Sequence, residues 1–175
     1  MKLPQRKNHR LKNYDYTSYG YYFVTICTNH FKMTLSKITD NSFEVVPTII
    51  GEQVAKSWYK IEELYNAEII SFVLMPNHIH GVVKLNNKSL QSVSNKKYRF
   101  ESANDSLSKI IGDFKSVTTR KYKEIYGVDE SLWQKSFYDE IITSDEHYFN
   151  VLQYINENPR IWKEDKYFYE PYLKM

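Results

Sequence analysis

Two histidines separated by a single residue give this chain its clearest chemical signal. His78 and His80 lie in the segment Met75–Gly81, at the start of a run that is typical of a β-strand. Alternate side chains of a strand leave the same face of the sheet, so both imidazoles should project together while Ile79 points into the opposite layer. Two imidazoles on one face supply half of a metal site. Since the chain has only five histidines, we interpret this pair as a candidate metal site.

A tyrosine and an asparagine on the predicted last helix are the second candidate group. Tyr154 and Asn158 are four residues apart, which places them side by side on one helical face. A phenol beside an amide oxygen is a reactive pair when a metal ion is near. Helical phase alone leaves Tyr138 and Tyr148 as alternatives, because the chain has 16 tyrosines and most of them must be structural.

The phase of that helix is set by its apolar residues. We expect it to begin at Asp145, a good N-cap, and to stop before Pro159. The predicted packing stripe consists of Tyr148, Val151, Leu152 and Ile155. The opposite, polar face carries His147, Asn150, Tyr154, Glu157 and Asn158. This phase predicts that Tyr154 lies away from the packing stripe.

The elements that must position these side chains are strands and helices in mixed order. We expect strands at Tyr21–Thr28, Asn41–Val46, Glu68–Met75, His78–Leu85 and Leu132–Ile142. Two further helices are predicted, one from Thr48 to Tyr65 and one from Ser106 to Tyr126, with Gly127 as terminator. The short link at Pro76-Asn77 predicts an antiparallel hairpin. This order predicts an α+β fold, a two-layer sandwich with a mainly antiparallel central sheet and helices packed on it.

Length and composition favour one domain spanning residues 1–175. Around its core we expect a basic N-terminal arm at 1–18, a mobile loop at 86–105 and an aromatic C-terminal tail at 160–175. No apolar run approaches the roughly 20 residues of a membrane span, and no apolar segment follows the basic N-terminus as in a secretory signal. The single cysteine, Cys27, excludes an internal disulfide framework and should be a buried small hydrophobe. We therefore expect a cytoplasmic protein.

The positive charge is concentrated although the net charge is only +3. The basic residues of the arm precede the first acid, Asp15, and two further basic runs follow at 96–99 and 115–123. Basic patches with interleaved tyrosines suit a polyanion with stackable bases. The alternative interpretation is an ordinary solvated surface, since local charge runs are common on soluble proteins.

Several segments together resemble the single-tyrosine HUH transposases (U is a hydrophobic residue), and among them the REP-associated tyrosine transposase-like branch. The similarity extends along nearly the whole chain and its blocks occur in a specific order. The blocks are Arg10-Leu11 with Tyr14-Asp15-Tyr16, Gly20 to Thr28, Val73 to Gly81, Ile111 to Ser116, Leu132-Trp133-Gln134 with Phe137-Tyr138-Asp139, and Tyr154-Ile155 with Asn158-Pro159.

The resemblance implies a ferredoxin-like sheet and a role for each site residue. His78 and His80 would be metal ligands, Asn158 the third protein ligand and Tyr154 the nucleophile. The metal of the family is usually Mg²⁺ or Mn²⁺; two imidazoles suit manganese better than magnesium, and ligands alone would also allow zinc. The phenol must lose its proton to attack, and Lys109, Lys115 and Arg160 are the cations we consider for favouring the anion.

The implied activity is metal-dependent nicking and strand transfer of single-stranded DNA through a 5′-phosphotyrosine intermediate, as in DNA transposition or the processing of REP-like repeats. The implied partner is a DNA hairpin, and the family includes homodimers as well as monomers. Candidate DNA contacts are Arg6, Arg10, Lys12, Tyr14, Lys115 and Arg120. Candidate base-stacking tyrosines are Tyr14, Tyr16, Tyr98 and Tyr122.

Two other functions stay open from the residues alone. One is a non-catalytic hairpin-binding protein that kept the fold of a transposase. The other is an unrelated metal hydrolase that uses the two histidines to activate water and gives Tyr154 no role.

Overall fold

A four-stranded antiparallel sheet organises the molecule, which a computed structural model describes over residues 19–86 and 106–168. The sheet has the order β4-β5-β1-β6, and a separate two-stranded sheet pairs β2 with β3. The strands are β1 Gly20–Cys27, β2 Ser36–Ile38, β3 Val45–Pro47, β4 Ala67–Leu74, β5 His78–Leu85 and β6 Tyr138–Ile142. The helices are α1 Ile49–Tyr59, α2 Ile61–Leu64, α3 Leu107–Tyr126 and α4 Asp145–Glu157. The predicted α+β class, with helices packed on a mainly antiparallel sheet, is confirmed.

The two faces of the sheet bury different clusters. On one face α1 and α3 cover the larger core, to which β5 contributes Ile79 and Val83. On the other face α4 covers a smaller cluster, in which Val151 and Ile155 pack with Val82 of β5. The period of two in β5 therefore sends its histidines to the α4 face, as the sequence predicts.

A close contact between Trp58 and Gly81 fixes α1 on β5 directly beside the histidines. Trp58 of α1 is fully buried and stacks on Phe72 of β4. A Cβ atom at Gly81 would clash with the Trp58 ring. Glycine is therefore required at this position for the helix to approach the strand that carries His78 and His80.

The helix ends follow local capping chemistry. Ser106 caps α3 by accepting a hydrogen bond from the Lys109 backbone, and Gly127 ends the helix with a φ of 66°. Ser144, rather than the predicted Asp145, caps α4 by accepting from the His147 backbone. Both residue types are good N-caps, and the difference moves the helix start by one residue.

Three predicted elements differ from the structure. The strand expected at Leu132–Ile142 is only Tyr138–Ile142, since Trp133 makes an isolated bridge with Thr28 instead. The helix expected to reach Tyr65 is interrupted at Lys60 and divides into α1 and α2. The strand expected at Asn41–Val46 lies at Val45–Pro47, where it pairs with β2, which we did not predict.

Several sequence predictions concern residues outside the described ranges. These are the basic arm at 1–18 with Arg6, Arg10, Lys12 and Tyr14, the loop at 87–105 and the tail beyond Phe168. Within the described ranges, no helix combines the length and apolar character that crossing a membrane requires.

Candidate active site

The two histidines of β5 meet at their Nε2 atoms on the α4 face of the sheet. Nε2 of His78 lies 3.0 Å from Nε2 of His80. Both residues are buried, with His78 0% and His80 1% exposed. Two ring nitrogens this close can bind one cation, so the predicted pairing of the imidazoles is present in the geometry.

Asn77 determines which nitrogen of His78 carries the proton. The Asn77 side chain donates from Nδ2 to the carbonyl oxygen of Tyr167, at 2.8 Å. Its Oδ1 therefore faces Nδ1 of His78, also at 2.8 Å, and can only accept. A neutral His78 must then hold its proton on Nδ1, which leaves the Nε2 lone pair available. Such an outer hydrogen bond is the usual way to orient a metal-binding imidazole.

His80 is held from two sides by residues of β1. Its Nδ1 lies 2.8 Å from Oγ1 of Thr25, its partner across the strand pair. The ring of Phe23 stacks on the His80 ring with centroids 5.3 Å apart. These contacts fix the plane of the imidazole, so that Nε2 points towards His78 and α4.

Tyr154 reaches this pair from α4. Its hydroxyl lies 3.2 Å from Nε2 of His80, and its ring meets the Phe23 ring edge-on. Tyr154 is half-buried and packs against the smaller core cluster. The predicted polar face of α4 is therefore not fully exposed to solvent at this residue. The helix therefore brings the predicted phenol to the predicted imidazoles within one chain. The alternatives do not make this contact, since Tyr138 binds Glu140 and Tyr148 packs on Tyr21.

Asp165 is a member of the cluster that the sequence did not predict. Its Oδ2 accepts from the Tyr154 hydroxyl at 3.1 Å and from Nδ2 of Asn158 at 3.0 Å. Ligand atoms of His78, His80 and Asp165 all lie within 4.8 Å of one another. The described part of the chain thus contains a His-His-Asp group that could hold a metal ion.

Asn158 lies in the site, and one of its atoms lacks a partner. The residue is 0% exposed, and its Oδ1 forms no hydrogen bond although it is fully buried. Leaving a buried amide oxygen unsatisfied costs about 1–3 kcal/mol. An amide oxygen from a residue that contacts Asp165, together with two imidazole nitrogens and a carboxylate, has the chemistry of a donor set for a divalent cation. The residues present therefore fit a metal ion.

Burial controls the protonation of the site residues. It lowers the pKa of His78 to about 4 and the pKa of His80 well below its usual value, and the Lys166 charge lowers both further. Burial, followed by the negative charge of Asp165, raises the pKa of Tyr154 to about 12. At neutral pH the imidazoles are therefore neutral, while the phenol keeps its proton until another positive charge favours its anion.

The segment after α4 covers the histidine pair. Tyr167 packs against His78 with ring centroids 4.8 Å apart, and the buried Trp162 approaches His78 at 5.8 Å. Phe31, from the loop after β1, stacks on Tyr167 at 6.2 Å. Since the two imidazoles have almost no exposed surface, a substrate phosphate can reach them only if part of this cover moves.

The cations predicted to assist the phenol make other contacts. Lys109 pairs with Asp113 at 2.9 Å. Lys115 donates to the carbonyl oxygens of Gln134 and Lys135, at 2.7 and 2.9 Å. Arg160 is exposed, as is Arg120, which was predicted as a DNA contact. The positive charge felt by both imidazoles comes instead from Lys166, whose ammonium group lies 4.9 Å from the Tyr167 ring centroid.

Two further predictions meet the structure at this point. Tyr122 was a candidate for base stacking, but it is 7% exposed and donates to Glu130, so that interpretation is wrong. Cys27 is buried as predicted, beside His78 in the strand register. Asn77 and Asp165 were missed. Asn77 was interpreted only as part of a turn, and Asp165 stands in a tail without periodicity, where no spacing signal distinguishes it from other acids.

Comparison with known proteins finds one related sequence and a solved structure with a similar fold. No family model matches the chain. An uncharacterized protein of Haemophilus influenzae is 29% identical over 178 residues, which cover 94% of this chain and 93% of that protein. The structure of a REP-associated tyrosine transposase bound to a REP hairpin matches with a TM-score of 0.52 and 18% identity, over 84% of this chain and 70% of that one.

A candidate transposase from Deinococcus radiodurans R1 is 12% identical, over 85% of this chain and 95% of that one, with a TM-score of 0.47. The similarity to the REP-associated protein concerns the backbone, because the sequence identity is low. Together with the antiparallel sheet and its helices, it shows that this chain has a transposase-like α+β fold.

Proposed function

We propose that this protein nicks single-stranded DNA and transfers the strand through a covalent bond to Tyr154, in a reaction that depends on a divalent metal ion. The observation that carries the proposal is the 3.2 Å contact between the Tyr154 hydroxyl and Nε2 of His80. A phenol from one helix, two imidazoles from one strand and a carboxylate from the following segment converge in a single cluster. Neither a packing role nor a binding role requires this convergence.

The chemistry conserves the energy of the phosphodiester bond. The Tyr154 oxygen attacks the phosphorus atom, a phosphorus–oxygen bond forms, and the bond to the 3′ oxygen breaks. The products are a 5′-phosphotyrosine and a strand with a free 3′-hydroxyl, which takes up a proton as it leaves. The neighbouring acceptor for the phenol proton is the carboxylate of Asp165, whose Oδ2 lies 3.1 Å from the hydroxyl, since Nε2 of His80 would be occupied by the metal ion. Attack of a 3′-hydroxyl on the phosphotyrosine reverses the step, so strand transfer needs no nucleotide cofactor.

His78, His80 and Asp165 would hold the metal ion, and the unpartnered Oδ1 of Asn158 fits a fourth ligand. A bound divalent ion supplies Lewis acidity and neutralises negative charge at the phosphate. We propose that this ion is Mg²⁺ or Mn²⁺. Two nitrogen ligands favour Mn²⁺, whereas the carboxylate and the amide oxygen suit both ions.

A DNA hairpin is the proposed partner, because the structurally similar transposase was solved bound to a REP hairpin. The target bond must be accessible to a side chain on a helix, which favours an unpaired strand over a continuous duplex. A protein acting on genomic repeats would work in the bacterial cytoplasm. Since Tyr154 contacts a histidine of its own chain, the proposed site is complete in one subunit.

A metal-dependent hydrolase is the second candidate, and the presence of Asp165 favours it. Two histidines and one aspartate can also hold a metal ion that activates water. In that case Tyr154 is not the nucleophile and no covalent adduct forms. A hairpin-binding protein without catalysis is the third candidate, and it predicts binding that needs neither the metal nor Tyr154.

One experiment separates the three functions. A 5′-labelled and a 3′-labelled single-stranded hairpin are incubated with the protein in Mn²⁺ or in EDTA, and the products are resolved on denaturing gels. Strand transfer predicts a covalent protein–DNA adduct that needs metal and disappears in Tyr154→Phe. Hydrolysis predicts cleavage that survives this substitution, and the non-catalytic function predicts no cleavage at all.

Tyr148→Phe is the matched control, because Tyr148 lies on the same helix and was an alternative on sequence grounds. It should form the adduct at the wild-type rate, since the Tyr148 ring packs on Tyr21 rather than on the imidazoles.

A further inference from the structure

A groove with a mixed lining of apolar, hydroxyl and basic residues runs along α3 from Ser108 to Thr119, on the face of the sheet opposite the histidines. It has a volume of about 590 Å³ and lies between the helix and the segment 131–137 that precedes β6. Ser108, Ser116 and Thr119 contribute hydroxyl groups from the helix, and Trp133 contributes an aromatic wall. The groove contains no residue of the candidate active site.

The charge of the groove is one-sided. Its lining includes Lys115 and Lys135, and none of the described residues that line it carries a carboxylate. Lys115 fastens the opposite wall, because its ammonium group binds the carbonyl oxygens of Gln134 and Lys135. The Lys135 side chain belongs to an exposed residue and is available to an anion. Hydroxyl donors combined with cations form the usual lining for a sugar-phosphate backbone.

Gly112, in the floor of this groove, is a glycine inside a helix where the described chain leaves room for a side chain. It is an exposed residue in the interior of a 20-residue helix, where glycine is less stable than alanine. A Cβ atom added there would meet no atom within 4 Å. No contact within the described chain therefore requires the missing side chain. A ligand that approaches the helix backbone closely would require it.

The groove leads to the end of the sheet that carries the active site. Asn29 lines the groove and donates from its backbone to the Leu132 carbonyl at 2.8 Å. The preceding residue, Thr28, donates from its backbone to the carbonyl of Asn77 at 2.8 Å. Asn77 in turn orients His78. A DNA strand lying in the groove would therefore contact Asn29, whose neighbour Thr28 is hydrogen-bonded to Asn77 in the turn before β5.

We propose that this groove binds one sugar-phosphate strand of the DNA substrate, with Lys135 contacting phosphate and Gly112 allowing the strand to lie against the α3 backbone. The inference rests on the proposed function, since it takes the substrate to be DNA. It also revises the role of Lys115, which supports the wall of the groove by holding the segment at Gln134.

The first test uses a substitution that should strengthen the helix and fill the groove. Gly112→Gln replaces a poor helix former with a good one, so the melting temperature should stay equal or rise. The dissociation constant for a labelled DNA hairpin, measured by fluorescence anisotropy in EDTA, should rise about tenfold or more. Ile125→Gln places the same side chain at an exposed position of α3 outside the groove and should bind like the wild type.

The second test measures how much the positive charge of Lys135 contributes to DNA binding. Lys135→Gln should weaken binding several-fold and reduce the slope of log Kd against log salt by about one. Lys37→Gln removes the same charge from an exposed position of β2 and should change neither quantity. Wild-type affinity in both Gly112→Gln and Lys135→Gln would overturn the proposal that the groove binds DNA. These binding measurements need no metal and no covalent step, so a wild-type protein that forms no adduct but binds through the groove would contradict the proposed catalysis alone.

Discussion

The carboxylate of Asp165 accepts hydrogen bonds from both Tyr154 and Asn158, and so joins the last helix to the segment that covers the histidines. It is also the acid of the His-His-Asp group, whose ligand atoms lie within 4.8 Å of one another. One side chain is thus positioned to serve as a ligand for a cation, and it also binds the phenol and the Asn158 amide.

Removing this negative charge should weaken metal binding. Asp165→Asn keeps the size of the side chain but replaces a charged ligand with a neutral one, so we expect Mn²⁺ affinity to fall by about tenfold or more. Isothermal titration calorimetry measures the affinity directly. Glu164→Gln is the control, because this neighbouring acid is exposed and outside the cluster. Equal affinity in wild type and Asp165→Asn would show that Asp165 is not a ligand.

The amide of Asn77 should matter through the proton it assigns to His78. Asn77→Leu removes the acceptor for Nδ1–H, so the imidazole loses its fixed tautomer and Mn²⁺ affinity should fall by about 10–100-fold. Asn77→Asp keeps an acceptor at the same place and should retain most of the affinity. If both variants lose affinity equally, the bond from Asn77 to Tyr167 is the important one.

Acid should destabilise the metal-free protein through its buried histidines. The pKa of His78 is lowered from 6.5 to about 4 in the folded state, chiefly by burial. Between these values the unfolded chain binds the proton and the folded chain does not, so stability falls as pH falls through this window. The pKa difference of His78 corresponds to about 3 kcal/mol.

Urea unfolding in EDTA at pH 7, 6, 5 and 4 measures this loss. His78→Gln should reduce the dependence, because glutamine has no proton to gain, and His80, whose pKa burial also lowers, should account for what is left. His30→Gln removes an exposed histidine and should leave the dependence unchanged. A wild-type stability that does not change between pH 7 and pH 4 would contradict the burial argument.

The site should act within one subunit. Tyr154 contacts His80 of its own chain, so a mixture of Tyr154→Phe and His80→Ala should form no covalent adduct even if the protein dimerises. Exchange of the tyrosine helix between subunits would restore adduct in the mixture. The assay is the labelled hairpin with Mn²⁺, run at high protein concentration with each variant alone as reference.

Local sequence patterns predicted the candidate site residues that lie on a regular strand or helix. The period of two in β5 put His78 and His80 on one face, and the resemblance to a family selected Tyr154, whose hydroxyl lies 3.2 Å from His80. Asn77 and Asp165 were missed because each acts through contacts between segments distant in sequence, which no periodicity reports. Asp165 reaches the site only because Trp162 and Tyr167 pack the final segment against His78.

The fold was predicted where burial and periodicity agree, as in the hairpin of β4 and β5. Prediction failed at Trp133, because a buried aromatic residue can fill a core from a loop and needs no strand around it. It also missed β2 and misplaced β3, because strands of three residues are too short to show an alternating pattern.

The most direct test of the central claim is mass spectrometry of the protein after reaction with a hairpin in Mn²⁺. A tryptic peptide containing residue 154 should carry the 5′-phosphorylated DNA fragment, and no such peptide should appear in EDTA or in Tyr154→Phe. Cleaved DNA without any modified peptide, or a modification on another tyrosine, would contradict the account.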